Sequence, residues 1–250
     1  MICDAHVHVG YFARRGYDKP FYYTPKRVTS ILKRFEVSDF IFSSSSSHFG
    51  ETDIEALHNE ARETKKEFGA GAHAFCWIAG FMFEKDRQLS FLDNGVYEGV
   101  KLHHLETPWS TRPKDLNYIL DILEERDIPV QFHIGQDIGC FPGDYLPFVK
   151  SHPGLRVDFA HCRPGQDTID AMKECPNLYT DTAFMPPERI EMLEANGVAD
   201  RVMFGTDLPV MQAYYDVGLT DYYRKIVKDF EKLASDGIMF GNFKKFLRLK

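Results

Sequence analysis

Apolar runs of strand length recur along this chain, each followed by a segment whose apolar positions repeat with the period of a helix. The runs are Ile2 to Val9, Asp39 to Ser44, Ala72 to Ala79, Glu98 to His103, Pro129 to Ile134, Arg156 to His161, Asn177 to Ala183 and Arg201 to Thr206. Runs of this length bounded by turn residues predict buried strands. Between them, Val28, Ile31, Leu32 and Phe35 fall at i, i+3, i+4 and i+7 behind Thr24 and Pro25, a natural N-cap and first-turn pair. Leu116, Ile119, Leu120 and Leu123 repeat the pattern in the fourth unit. Ile190 and Leu193 lie between Pro187 and the C-capping pair Asn196 and Gly197. A third helix is expected around Leu89 to Asn94, and a last helical region over Thr220 to Leu249 with a break near Asp236 and Gly237.

Eight alternations of strand and helix in 250 residues predict an α/β chain folded as a (β/α)8 TIM barrel, one domain over residues 1–250. The rival is a doubly wound open sheet. No G-x-G-x-x-G or Walker A loop follows any strand to support it. The serine run Ser43 to Ser47 follows the second strand and precedes a helix beginning near Thr52, so it should form a loop at the barrel mouth, where small hydroxyls leave room for a ligand.

Composition narrows the partners. The chain is 44% hydrophobic and 27% charged, enough for a sizeable core, and its net charge of -7 with scattered basic residues argues against nucleic acid or an anionic membrane. Five cysteines, an odd number without C-x-x-C spacing, read as reduced thiols in a cytoplasmic protein. The first residues lack the pattern of a signal peptide, and no stretch approaches the ~20 apolar residues of a membrane helix. A small-molecule substrate is the expected partner.

The chemistry gathers at the predicted strand ends. In "CDAHVHVG" strand alternation gives His6 and His8 one face and Ala5 and Val7 the other. The fifth strand carries His133 near its end, the sixth ends at His161, and Asp207 follows the eighth. The C-terminal ends of barrel strands form one face, so these five side chains should meet there. Imidazoles with a carboxylate suit a borderline divalent ion such as zinc. Lys101, near the end of the fourth strand, would orient an acidic substrate, pair with a carboxylate inside the barrel, or become carbamylated and bridge two metals. His48, His58, His73, His103, His104 and His152 read as structural, as do Asp4 and Asp181, the acids being candidate partners for ligand imidazoles.

The stretches "DAHVHVG", "GVKLHH", "VQFHIG", "DFAHC", "FGTDLP" and "IMFGNFKKFLRL" resemble the amidohydrolase superfamily, and more closely its amidohydrolase-related branch of small-lactone hydrolases and non-oxidative decarboxylases. The resemblance spans nearly the whole chain. It implies that His6, His8, His133 and Asp207 bind one divalent ion, zinc before manganese or another, with His161 catalytic beside them. It also implies a homodimer. Asn242 and Phe243 stand where the family motif has Asn-Ala, a departure expected to affect packing. TatD-like nucleases carry an acid where this chain has Lys101, and PHP phosphoesterases use a seven-unit barrel, so both fit less well.

In the mechanism this resemblance suggests, Asp207 accepts a proton from an activated water while His161 polarises the scissile carbonyl. The first loop, "GYFARRGYDKPFYYTP", supplies Tyr11, Arg14 and Arg15, and later loops supply Trp109 and Arg163; aromatics with arginines suit a small carboxylate. A hydrolase of a carboxylated lactone, ester or amide is the first reading. A decarboxylase or hydratase acting on an unsaturated or aromatic carboxylate is the second, and a non-catalytic binding barrel the third.

Overall fold

The computed structural model describes residues 1–12, 21–46, 54–78, 89–104, 107–135, 138–213 and 217–250. Nine strands form one sheet: β1 (Ile2–Phe12), β2 (Phe21–Tyr23), β3 (Val37–Ser44), β4 (Ala72–Ile78), β5 (Tyr97–Leu102), β6 (Val130–His133), β7 (Val157–Ala160), β8 (Leu178–Asp181) and β9 (Val202–Met203). Except for β2 they are parallel and ordered as in sequence. The ring closes where Ala5 donates to Phe204 O at 2.8 Å, His8 to Leu208 O at 2.6 Å, and Asp207 back to His6 O at 2.8 Å. The fold is the expected TIM barrel.

Eight α-helices lie wholly within the described residues: α1 (Pro25–Arg34), α2 (Ile54–Phe68), α3 (Pro113–Glu125), α4 (Pro142–Ser151), α5 (Gly165–Glu174), α6 (Ile190–Ala195), α7 (Leu219–Glu231) and α8 (Asn242–Leu247). Thr24 caps α1 as its position suggests, its hydroxyl accepting from Arg27 N at 3.2 Å, and the helix buries Val28, Ile31 and Leu32. Gly197, at φ 71°, follows α6 in the left-handed conformation that ends a helix.

Two expectations need correction, the loop after β1 and the alternation within it. β1 runs on to Phe12 and turns back as β2, an antiparallel partner, so aromatic residues that read as loop form a hairpin. In the third unit Leu89 and Ser90 are helical, as expected, and lead into the 3-10 turn Phe91–Asn94, which ends at Gly95 at φ 72°. The last helical region breaks near Asp236 and Gly237 as expected, at the π-helical turn Gly237–Gly241. Within β1 the register slips between Asp4 and Val7. A bulge of this kind rephases alternation. Ala5 packs with Cys3, Ile41, Phe75 and Met203, whereas Val7 packs in the larger core with the helices. Ala5 and His6 therefore both face inward.

The barrel interior is graded. At its lower end Cys3, Ala5, Ile41, Phe75 and Met203 pack against Phe243 and Phe246 of α8. Asn242 fixes that helix by donating to Ala199 O at 2.8 Å and Val202 O at 2.7 Å. Above this plug the inward positions become polar.

Candidate metal centre

The inward positions of β5, β6, β7 and β8 place Lys101, Gln131, Asp158 and Asp181 in one buried layer. Lys101 Nζ donates to Gln131 Oε1 at 2.8 Å, and Gln131 Nε2 lies 2.8 Å from Asp158 Oδ2, 3.1 Å from Ala5 O and 3.4 Å from Asp181 Oδ2. Asp181 spends one oxygen on the N–H groups of His161 and Ala183, at 3.0 and 2.9 Å, and turns the other to His6 Nδ1 at 2.9 Å. Burial pushes the Asp181 carboxyl up to about 6, opposed by the His161 N–H. Asp158 is pushed well up by burial and by Asp181. Gln131 has a sequence signal that the alternation reading passed over: it stands two residues before His133 and shares its face.

His6 and His8 form the next layer. A carboxylate beside His6 Nδ1 fixes the proton on that atom, leaving Nε2 with its lone pair. Lys101 Nζ, which can only donate, lies 3.3 Å from this Nε2 and agrees with that tautomer. His8 Nδ1 faces the Ser43 carbonyl oxygen at 3.3 Å and the Ser43 hydroxyl at 3.0 Å; the carbonyl can only accept, so His8 too presents a bare Nε2. The two Nε2 atoms are 3.1 Å apart, and Asp207 Oδ1 lies 3.1 Å from that of His8 and 3.6 Å from that of His6. Asp207 Oδ1 is buried and makes no hydrogen bond among the described residues. Two imidazole nitrogens and a carboxylate oxygen converging on one point make up a donor set that suits a divalent ion.

His133 and His161 border this group. His161 Nε2 is 3.0 Å from His133 Nδ1, and the ring centroid of His161 is 4.8 Å from that of His6. Candidate ligand atoms of His6, His161 and Asp207 all lie within 4.8 Å of one another. Burial first, then neighbouring positive groups, holds the imidazoles of His6, His133 and His161 well below the ordinary value, so all three are neutral. Burial lowers Lys101 to about 8 against the pull of Asp181 and Asp207.

The backbone is strained where it presents these groups. His161 has φ 79°, Asp207 φ 54° and Phe184 φ 60°, left-handed conformations costing about 1–2 kcal/mol each. Gly205 permits the approach of the last strand: a Cβ there would lie 3.1 Å from Asp181 Cβ and 3.2 Å from His6 Cβ. Asp4, outside the barrel, accepts from His6 N at 3.1 Å, Thr206 N at 3.0 Å, Thr206 Oγ1 at 2.7 Å and Tyr223 OH at 3.0 Å, tying β1 to the segment that carries Asp207.

The remaining candidates divide. Arg163 donates from Nε to Ile134 O at 3.3 Å, lies over the Phe184 ring at 5.5 Å, and its charge reaches the three imidazoles. Tyr11 is at the rim, 45% exposed and 4.4 Å from the Tyr22 ring. Trp109 is fully buried in the core that includes Leu116 and Ile119, which corrects its expected place among mouth residues. Arg14 and Arg15 lie outside the described residues, as do His48 and Thr52. The serine run does not leave the expected room as far as it is described: Ser43 bonds His8, Ser44 and Ser46 bond Glu60, and Ser45 bonds Val9 O at 3.0 Å. His103, read as structural, stacks on Trp77 at 5.2 Å and on His133 at 3.9 Å, so it buttresses the site.

All five cysteines are free and buried. No helix among the described residues is long and apolar enough to cross a membrane.

A barrel whose last strand returns an aspartate to an H-x-H pair defines a class, and the comparison with known families agrees. The amidohydrolase family model matches residues 3–226, and the chain belongs to that family. No curated protein sequence matches it. Among solved structures it is similar to a probable 2-pyrone-4,6-dicarboxylic acid hydrolase from Acinetobacter baumannii with citric acid bound, at TM-score 0.72 and 14% identity, covering 99% of each chain. It is similar to an uncharacterized Tim-barrel protein from Bordetella bronchiseptica at TM-score 0.71 and 17% identity, covering 99% of this chain and 98% of that one. An amidohydrolase from Burkholderia multivorans with bound zinc matches at TM-score 0.66 and 13% identity, covering 100% of both chains.

Proposed function

We propose that this amidohydrolase is a metal-dependent hydrolase of a small carboxylated lactone, ester or amide. The observation that carries the reading is the convergence of His6 Nε2, His8 Nε2 and Asp207 Oδ1, separated by 3.1 to 3.6 Å, the last without a hydrogen-bond partner among the described residues. These three atoms, with one imidazole of the His133 and His161 pair, would hold one divalent ion; nitrogen and carboxylate donors in this proportion favour zinc. When bound, such an ion supplies Lewis acidity, lowering the pKa of water towards ~7 in the case of zinc.

The chain's own groups do the rest. Asp207 takes the proton of the attacking water and passes it to the leaving group. An N–H of the His133 and His161 pair donates to the carbonyl oxygen as negative charge develops there. Arg163, braced by Phe184 and the Ile134 carbonyl, binds the substrate carboxylate; the dicarboxylate named for the Acinetobacter neighbour supports this substrate class. Lys101 stays below the site, paired with Gln131.

The test is turnover of a panel of carboxylated lactones, esters and amides before chelation, after it, and after zinc is returned. Hydrolysis that is lost and then restored supports the reading. Turnover confined to aromatic or unsaturated carboxylates with no hydrolysable bond would replace it with a decarboxylase or hydratase, and binding without turnover would leave a binding barrel.

A further inference from the structure

Glu60 of α2 is a buried acid outside the metal centre, 6% exposed. Its carboxylate accepts from the hydroxyl of Ser44, from that of Ser46 at 3.0 Å to either oxygen, and from that of Tyr22. Each serine oxygen in turn accepts a main-chain N–H: Ser44 Oγ that of Ser46 at 3.2 Å, and Ser46 Oγ that of Tyr11 at 3.0 Å. Strands β1, β2 and β3 are thereby tied to one side chain. Gly10 makes room for it, with its backbone at φ 94°; a Cβ there would lie 2.6 Å from Glu60 Oε2 and 2.4 Å from Ser46 Oγ.

The cluster begins where the pairing of β1 with β3 stops. The last paired residues are His8 with Ser43 and Val9 with Ser44. Beyond them Ser45 Oγ donates to Val9 O at 3.0 Å and Tyr11 N to Ser46 Oγ, so side chains carry the ladder on. The Ser43 carbonyl, whose oxygen faces His8 Nδ1 at 3.3 Å, lies in the same rigid peptide plane as Ser44 N. Holding Ser44 on Glu60 fixes the tilt of that plane, and with it the direction in which the His8 ring is turned. A carboxylate suits the task because it only accepts and can take three O–H groups at once. An amide of the same shape has one accepting oxygen and an NH2 that cannot accept.

We infer that Glu60 is a positioning residue for the metal centre: through Ser44 and the Ser43 carbonyl it sets the orientation of the His8 ring. This rests on the metal-dependent reading above and deepens it. It extends the support of the centre from the barrel strands to a helix on the outside of the barrel, and it gives the serine run a role in place of the ligand space expected of it.

The test is cobalt(II) uptake by the full-length chain after chelation, in the wild type, Glu60→Gln and Ser46→Ala. Glu60→Gln is expected to lower cobalt affinity, read by chelator competition, about 10-fold. It should also displace the visible absorption bands of the bound cobalt, which report ligand geometry. Ser46→Ala should change both in the same direction by a smaller amount. A cobalt affinity and spectrum in Glu60→Gln equal to those of the wild type, with only the unfolding temperature lowered, would overturn the inference and leave Glu60 a support of the hairpin. If Glu60→Gln does not fold, Ser46→Ala decides by the same two readings. Failure of the wild type to bind cobalt would instead remove the metal-dependent reading. The His8 ring signals in NMR spectra of the metal-free chain would then decide the inference, displaced in Ser46→Ala and Glu60→Gln if it holds and unmoved if it does not.

Discussion

The two ends of the barrel interior are built on opposite principles. The lower end is an apolar plug, in which Phe75, Phe243 and Phe246 fill the space between Cys3, Ala5, Ile41 and Met203. The upper end carries clustered imidazoles, Asp207 Oδ1 and His161 Nδ1 without hydrogen bonds among the described residues, and left-handed backbone at His161 and Asp207. Close-packed apolar side chains stabilise the fold, whereas bare buried acceptors and strained dihedrals oppose it. The plug offsets what the upper end costs, and substitutions at the two ends should separate stability from function.

The sharpest way to break that contrast is a pair of variants. Phe243→Ala removes a fully buried ring from the plug and should cost about 3–5 kcal/mol in denaturant unfolding, with metal content per folded chain unchanged. Asp207→Asn should lower turnover by about 10³-fold with a native circular dichroism spectrum, because an amide is a poor metal ligand and cannot take the water's proton. If Asp207→Asn unfolded the chain and Phe243→Ala abolished activity without destabilising it, the division would be wrong.

A smaller effect is expected one layer below the ligands. Asp181→Asn leaves His6 Nδ1 beside an amide that can turn either its oxygen or its NH2 to the ring, so the tautomer is no longer imposed. Metal affinity, read by chelator competition, should fall about 10- to 100-fold. An unchanged affinity would mean that Asp181 serves only the His161 turn.

The smallest effect concerns pH. Burial lowers the pKa of His6, and of His133 and His161 with it, so protons compete for these nitrogens only below the imidazole value of about 6.5. On acidification, bound metal should be retained through that pH and lost below it. Release centred at or above it would show that the imidazoles behave as solvent-exposed groups.

Much of this was legible in the chain, and the exceptions have physical causes. Periodicity located α1 and α3, and strand alternation correctly gave His6 and His8 a common face, because both are local properties. The bulge that turns Ala5 inward depends on pairing with β3 and has no local signal. Asp181 could be suggested as a partner for a ligand imidazole, but its contact with His6 follows from ring closure between the first and last strands. Trp109 was misplaced since an aromatic after a strand end can cover either the mouth or the core, and only packing against α3 decides. β2 did carry a signal in Phe21, Tyr22 and Tyr23, good strand formers, which a loop reading suppressed.

The most direct test of the central claim is an anomalous-difference map at the zinc edge from crystals of the zinc-supplemented protein. The account predicts one peak per chain, about 2.0–2.2 Å from His6 Nε2, His8 Nε2 and an Asp207 oxygen. A map with no peak there, in crystals of protein that still hydrolyses its substrate, would contradict it.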